Sequence, residues 1–127
     1  MTNLVQLPFS ANEYHERVSR LREKMRETDV DVTLVTGPEN QYYLTGLRTG
    51  TVQYFMVLVV PVDGEGFWVV RRTELSNVES LKAVSWVKRG YGVTDGKSPV
   101  QVLAETLREH GFECSRIGID RRSYFFH

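Results

Sequence analysis

Two apolar runs joined by a short glycine-containing turn constrain the fold of this 127-residue chain most strongly. The first run, "FMVLVVPV", covers Phe55–Val62, and the second, "FWVV", begins at Phe67. The "DGEG" turn between them carries two glycines, which adopt positive φ angles at little cost. A bilayer span needs about twenty apolar residues, so the first run is predicted to be a buried strand. The centre of the chain is therefore predicted to be a β-hairpin.

Helical patterns lie on both sides of this hairpin. Ser10 and Glu13 have the spacing of a capping box, and apolar residues then recur at helical spacing, which predicts a helix over 11–28. Ser98 and Pro99 are typical of a helix start, and Gly111 is typical of a left-handed helix stop. The predicted apolar stripe of this later helix comprises Val100, Leu103, Ala104 and Leu107.

The remaining segments alternate between strand and helix patterns. Strands are predicted at "VDVTLVT" (30–36), "AVSWVKR" (83–89) and "RIGID" (116–120), with a short polar helix at "TELSNVESLK" (73–82). The stretch "PENQYYLTGLRTG" (38–50) is too polar for a core strand and too glycine-rich for a stable helix. The whole pattern predicts an α/β domain with a mixed sheet and helices on both faces.

Composition excludes several classes of function. Sixteen acidic and sixteen basic residues balance and the chain has no acidic tail, so we do not expect nucleic acid as a partner. The N-terminus lacks the features of a signal peptide, and no segment is long enough to enter a membrane. The single cysteine, Cys114, cannot form an internal disulfide and is predicted to be a packing residue. A cytoplasmic location is therefore predicted.

No catalytic or metal-binding set is evident in the sequence. The three histidines lie on separate predicted elements without metal-ligand spacing, so no cofactor is predicted in this domain. His15 and His110 are predicted to be solvated helix residues. Gly96-Lys97-Ser98 resembles the end of a phosphate-binding loop, but Tyr91 occupies the position that needs glycine, which favours a helix cap instead.

Arg48 is the remaining candidate for binding a ligand. It lies between Gly46 and Gly50, and its guanidinium could bind a carboxylate through two parallel hydrogen bonds. A solvated arginine on a surface loop is the alternative interpretation, which the sequence pattern leaves open.

Several of these segments together resemble the N-terminal domain of the creatinase, prolidase and aminopeptidase P family. The motifs are Glu-Tyr-x-x-Arg (residues 13–17), Asn-x-x-Tyr-Leu-Thr-Gly (residues 40–46), the "DGEG" hairpin and the "RIGID" strand, in that order. The resemblance covers about residues 11–122 and implies a ribonuclease H-like fold with about six strands. The pattern shows five, so a sixth is expected near residues 48–53 or in the tail.

The resemblance also implies that residues 1–127 form a non-catalytic domain. The family's "pita-bread" catalytic domain follows it and is absent from this chain. In the peptidases that domain supplies two aspartates, a histidine and two glutamates to two divalent metal ions (manganese, cobalt or zinc). In the creatinase branch it uses a histidine without metal. The chain alone is therefore not expected to hydrolyse a substrate.

The expected partners follow from the same resemblance. They are the chain's own catalytic domain, a second subunit in a homodimer, and a small peptide or small guanidino or amide substrate. The loop after Thr45-Gly46 is expected to reach the neighbouring subunit's active site, with Arg48, Thr49 and Tyr54 as substrate-binding residues. The aromatic tail, Tyr124–Phe126, is expected to lie against the missing domain.

The substrate of the whole protein stays open between an Xaa-Pro dipeptide, creatine and ectoine. A second interpretation, from a different class, is a non-enzymatic interaction module, because the architecture also occurs in a histone chaperone subunit. The balanced charge argues against that role.

Overall fold

The structure is a computed structural model that describes residues 9–47, 55–72, 75–81, 85–94, 96–113 and 115–119. Helices and strands alternate along these residues. The helices are α1 (Ala11–Glu27), α2 (Pro38–Thr45), α3 (Leu75–Leu81) and α4 (Pro99–Glu109). The strands are β1 (Val32–Val35), β2 (Met56–Pro61), β3 (Phe67–Arg71), β4 (Arg89–Val93) and β5 (Ile117–Ile119).

The strands form one mixed sheet in the order β4-β3-β2-β1-β5. The central hairpin is antiparallel, with Leu58 opposite Trp68, and β1 lies antiparallel to β2 on its other side. The two outer strands are parallel to their neighbours, β5 to β1 and β4 to β3. The predicted mixed sheet and its central hairpin are confirmed. The segments in which a sixth strand was expected lie outside the described residues.

The sheet separates two apolar cores. On one face, α1, α2 and α3 contribute Val18, Leu44 and Val78 to a core with Leu58 and Val60 of β2. On the other face, α4 contributes Leu103 and Leu107 to a core with Val57 and Val59. All six residues of β2 are buried because both of its faces are covered, as expected for a continuous apolar run. Helices on both faces are therefore confirmed.

Helix α1 begins as predicted. The Ser10 hydroxyl accepts a hydrogen bond from the Glu13 backbone N–H at 3.2 Å. Arg22 then joins α1 to the hairpin by donating to the carbonyl oxygens of Pro61 and Gly64. Burial lowers the pKa of Arg22, and the Asp63 carboxylate opposes that shift.

The predicted fourth strand was misplaced. Residues 85–88 are not part of a strand, and β4 begins at Arg89, where the prediction ended. The glycines of β4 leave room for α3, since a Cβ at Gly90 would lie 2.9 Å from Val78 Cγ1. Close helix packing on a glycine-containing strand is a tertiary effect, which propensity alone does not reveal.

Helix α4 also differs from its prediction in detail. Leu103 and Leu107 are buried, but Val100 is 57% exposed and Ala104 is exposed, so the predicted stripe was half wrong. Ser98 stands at the N-cap without a side-chain cap hydrogen bond, while Gly111 has φ 82° and ends the helix as predicted.

The two described histidines have different environments. His15 is exposed, as predicted. His110 is not a solvated helix residue, because its ring stacks on Phe67 at 4.2 Å and its Nε2 lies 3.0 Å from the Tyr91 hydroxyl. The prediction failed because Phe67 and Tyr91 come from strands distant in sequence.

None of the helices in the described residues is long and apolar enough to span a bilayer.

Candidate functional site

The stretch judged too glycine-rich for a stable helix contains α2, so that judgement was wrong. Pro38 lies in the first turn, where its missing N–H costs nothing, and Gly46 follows the last helical residue. Gly46 has φ 78° and donates its N–H to the Tyr42 carbonyl oxygen at 2.8 Å. The glycine therefore ends the helix rather than interrupting it.

Gln41 connects α2 to two neighbouring strands. Its side-chain Nε2 donates to the carbonyl oxygens of Val35 and Met56, at 2.9 and 2.8 Å. The side chain is fully buried, so its amide group needs hydrogen-bond partners within the core, and these two carbonyls provide them. One amide thus fixes the end of β1, the start of β2 and the helix relative to one another.

The chain leaves α2 through a second set of hydrogen bonds. The buried Thr45 hydroxyl donates to the Gln41 carbonyl oxygen at 2.7 Å and accepts from the Leu47 backbone N–H at 3.1 Å. Leu47 is buried in the core of the α1 face, whereas Phe55 is buried in the core of the α4 face. The segment 48–54 is therefore flanked by two residues that are anchored on opposite faces of the sheet.

Arg17 of α1 is held at the C-terminal end of α2. Its Nη1 donates to the Tyr43 carbonyl oxygen at 2.7 Å, and its Nε pairs with Glu13 at 3.2 Å. The guanidinium carbon lies 4.4 Å from the centre of the Phe9 ring and 4.3 Å from that of Tyr43. A buried cation between two rings at a helix C-terminus is favoured both by the ring faces and by the helix dipole.

Tyr14 lies beside this cation. Its hydroxyl is buried and has no hydrogen-bond partner among the described residues. Burial raises the pKa of Tyr14, while the positive charge of Arg17 opposes the shift.

Trp86 holds the next carbonyl of the same helix end. Its indole N–H donates to the Leu44 carbonyl oxygen at 2.8 Å. The ring lies close to the hairpin, because a Cβ placed on Gly66 would come within 2.7 Å of the indole. The side chains of Arg17 and Trp86, here called the carbonyl anchors, thus bind two successive carbonyls of α2.

An open groove of about 510 Å³ lies beside α1, α2 and the β5 edge of the sheet. Its apolar surface includes Leu21, Met25, Val35 and Leu44. Its charged lining consists of Arg17, Arg20 and Lys24, with no Asp or Glu among the described residues that line it. Two of these cations are paired with glutamates of the same helix, Arg17 with Glu13 at 3.2 Å and Arg20 with Glu16 at 3.6 Å.

The predicted substrate-binding residues Arg48, Thr49 and Tyr54 lie outside the described residues, as do Cys114 and the Tyr124–Phe126 tail. The structure does describe the residues that flank and support the 48–54 segment, namely Arg17, Gln41, Leu47, Phe55 and Trp86. Of these, Gln41 and Trp86 were missed because their partners are distant in sequence. Arg17 was part of the Glu-Tyr-x-x-Arg motif, but the motif did not indicate its partner.

Titratable groups do not assemble into a metal site in the part of the chain that is described, where no cluster of three His, Cys, Asp or Glu side chains occurs. His110, which pairs with Tyr91, lines a smaller cavity of about 310 Å³ together with Glu65 and Arg89. The His110 ring stacks on Phe67 there, which gives it a packing role.

Residues 17–127 match the Creatinase/Prolidase N-terminal domain, so the chain belongs to that family. It is 25% identical over 130 residues to ectoine hydrolase of Halomonas elongata, covering 96% of this chain and 32% of that protein. The match confirms the family resemblance drawn from the motifs.

Solved structures of similar proteins have the same fold. A dipeptidase from Pyrococcus horikoshii OT3 is 25% identical with a TM-score of 0.69, covering 86% of this chain and 29% of that one. The N-terminal domain of the Xaa-Pro dipeptidase from Lactobacillus brevis has a TM-score of 0.70 at 18% identity, covering 83% of this chain and 76% of that one, and supports the fold alone. The chain spans about a third of the length of the curated relatives it matches.

Proposed function

We propose that this chain is the substrate-presenting N-terminal domain of a C–N bond hydrolase and that it acts within a homodimer. In this proposal, the segment 48–54 contributes Arg48 to a substrate site completed by the partner subunit. Thr49 and Tyr54 would contact the same substrate.

The observation that carries this proposal is the fixed base of that segment. Leu47 and Phe55 are anchored in different cores, and Gln41 connects the strand that follows the segment to the helix that precedes it. A group that selects substrate must be held in a defined position, and a rigid support on both sides provides this.

The chemistry of the proposed substrates fits an arginine. Xaa-Pro dipeptides, creatine and ectoine all carry a carboxylate, which a guanidinium binds through two parallel hydrogen bonds. An Xaa-Pro dipeptide is the leading substrate because several of the similar solved structures are dipeptidases. Ectoine is the alternative because ectoine hydrolase is among the similar proteins.

The bond-breaking groups would belong to a catalytic domain that follows residue 127 in the whole protein. We propose two divalent metal ions (manganese, cobalt or zinc) in that domain if the protein is a peptidase, and a metal-free histidine if it resembles creatinase. The open groove beside α1, whose lining is apolar and cationic, would suit a surface of that domain or of the second subunit. The cytoplasmic location stays a prediction.

Arg48→Ala in the whole protein tests the proposal. We expect kcat/KM for Ala-Pro or ectoine, whichever is hydrolysed, to fall about tenfold or more, since a charge-assisted contact is lost. The melting temperature should stay nearly constant. Arg108→Ala on the opposite face is the matched control, since Arg108 is exposed and pairs only loosely with Glu113 at 3.7 Å. An unchanged kcat/KM for Arg48→Ala would remove the substrate role.

Hybrid dimers test whether the segment acts across the interface. Mixing Arg48→Ala subunits with subunits inactivated in the catalytic domain should restore part of the activity, because each hybrid then contains one complete site. No restoration in isolated heterodimers would show that the segment does not serve the partner subunit.

A further inference from the structure

We propose that the carbonyl anchors, Arg17 and Trp86, are positioning residues that set the direction in which the chain leaves α2 toward residues 48–54. This inference rests on the proposed function for its consequence in catalysis. Its structural part depends only on contacts among the described residues.

The end of a helix leaves its last carbonyl groups without intrahelical partners. In α2, the Tyr42 carbonyl accepts a hydrogen bond from the Gly46 N–H. The next two carbonyls, of Tyr43 and Leu44, accept hydrogen bonds from the side chains of Arg17 and Trp86. Arg17 reaches Tyr43 across 26 residues of sequence, and Trp86 reaches Leu44 across 42. The helix end is therefore set by two separate parts of the fold.

The two anchors restrict different motions because of helical geometry. Successive residues of an α-helix are about 100° apart around its axis. Because helix carbonyls point along the axis, hydrogen bonds to the Tyr43 and Leu44 carbonyls hold the C-terminal end of the helix at two separate points around its rim. Gln41 fixes the middle of α2 against β1 and β2, and the two anchors add contacts at its C-terminal end that oppose rotation of that end.

Each anchor is itself held in place. Arg17 is 9% exposed, lies between the Phe9 and Tyr43 rings, and is paired with Glu13. Trp86 lies between the buried residues Ser85 and Val87, and the Ser85 hydroxyl accepts a hydrogen bond from the Val87 N–H at 3.2 Å. A side chain that is itself held in one rotamer keeps the carbonyl that it binds in a defined position.

Native-state hydrogen exchange measures the structural part directly. Arg17→Met removes the donors while keeping a long apolar side chain, and Trp86→Phe removes the indole N–H while keeping an aromatic ring. We expect the exchange of the Gly46 and Leu47 amides to accelerate about tenfold in Arg17→Met and about threefold or more in Trp86→Phe, relative to the amides of β2. Arg17→Lys should partly restore protection, because its ammonium group can still donate to Tyr43.

Leu103→Ala is the matched control. It weakens the core on the opposite face of the sheet and should accelerate the Gly46, Leu47 and β2 amides together, leaving their ratio unchanged. A selective change in the anchor variants supports the proposal. An unchanged ratio in both anchor variants, or an equal change of the ratio in Leu103→Ala, overturns it.

Kinetics of the whole protein separates this inference from the proposed function. With Ala-Pro or ectoine as substrate, both anchor variants should raise KM more than they lower kcat. Selective exchange with unchanged kinetics would uphold the positioning role and count against substrate contact by residues 48–54. A KM effect without selective exchange would overturn the positioning role and leave the proposed function in place.

Discussion

The indole N–H of Trp86 donates a 2.8 Å hydrogen bond to the carbonyl oxygen of Leu44, 42 residues earlier in the chain. Sequence patterns predict Trp86 within a strand, but in the fold it precedes β4 and its ring supports the end of α2. The same helix end is held from α1 by Arg17. The base of the proposed substrate segment thus depends on residues from three distant parts of the sequence.

Gly66→Ala should displace Trp86. The new Cβ would lie 2.7 Å from the indole and 3.0 Å from the Val59 carbonyl oxygen, so the ring must move. We expect a loss of about 1–3 kcal/mol in the free energy of unfolding and a changed indole N–H signal of Trp86 in NMR spectra. Gly64→Ala is the control, since it meets open space and only strains a φ of 97°. An indole signal that does not change in Gly66→Ala would contradict this packing.

Gln41→Leu should destabilise the fold strongly. It removes both side-chain hydrogen bonds to the buried Val35 and Met56, which we expect to lower the free energy of unfolding by about 1–3 kcal/mol. The same substitution at the exposed Gln101 should change stability by about 0.5 kcal/mol or less. Urea denaturation of both variants measures the difference, and equal losses would refute the bridging role of Gln41.

Tyr14→Phe should leave stability unchanged or raise it by up to about 1 kcal/mol. The hydroxyl is buried and has no hydrogen-bond partner in the part of the chain that the structure describes, so its removal relieves a desolvation cost. Tyr91→Phe is the matched substitution and should lose about 0.5–1.5 kcal/mol, since the Tyr91 hydroxyl bonds to His110. A clear loss in Tyr14→Phe would show that its hydroxyl has a partner.

The raised pKa of Tyr14 also predicts an alkaline effect on stability. Burial favours the neutral phenol in the folded state, so above about pH 10 the unfolded chain releases this proton first. The free energy of unfolding should therefore fall as pH rises from about 10 toward the folded-state pKa. Tyr14→Phe should show a shallower fall over that range. Parallel curves for the two proteins would mean that the Tyr14 pKa is the same in both states.

Local patterns determined much of the fold. The apolar runs around "DGEG" predicted the central hairpin, since continuous burial and a glycine turn are encoded by adjacent residues. Ser10 and the spacing of Tyr14, Val18 and Met25 likewise predicted α1. The mixed α/β sheet followed from the alternation of these elements.

Only the tertiary structure decided the geometry of the candidate site. Helix α2 has little amphipathic character, and it is held by Arg17, Gln41 and Trp86 through hydrogen bonds that no periodicity encodes. The position of β4 depended on the close approach of α3 to Gly90. The environment of His110 depended on the stacking of its ring on Phe67. The sequence by itself thus determined the elements formed by neighbouring residues, through their periodicity and turn chemistry. Tertiary structure decided the short helix and the carbonyl anchors, because a hydrogen bond between distant residues exists only after the chain has folded.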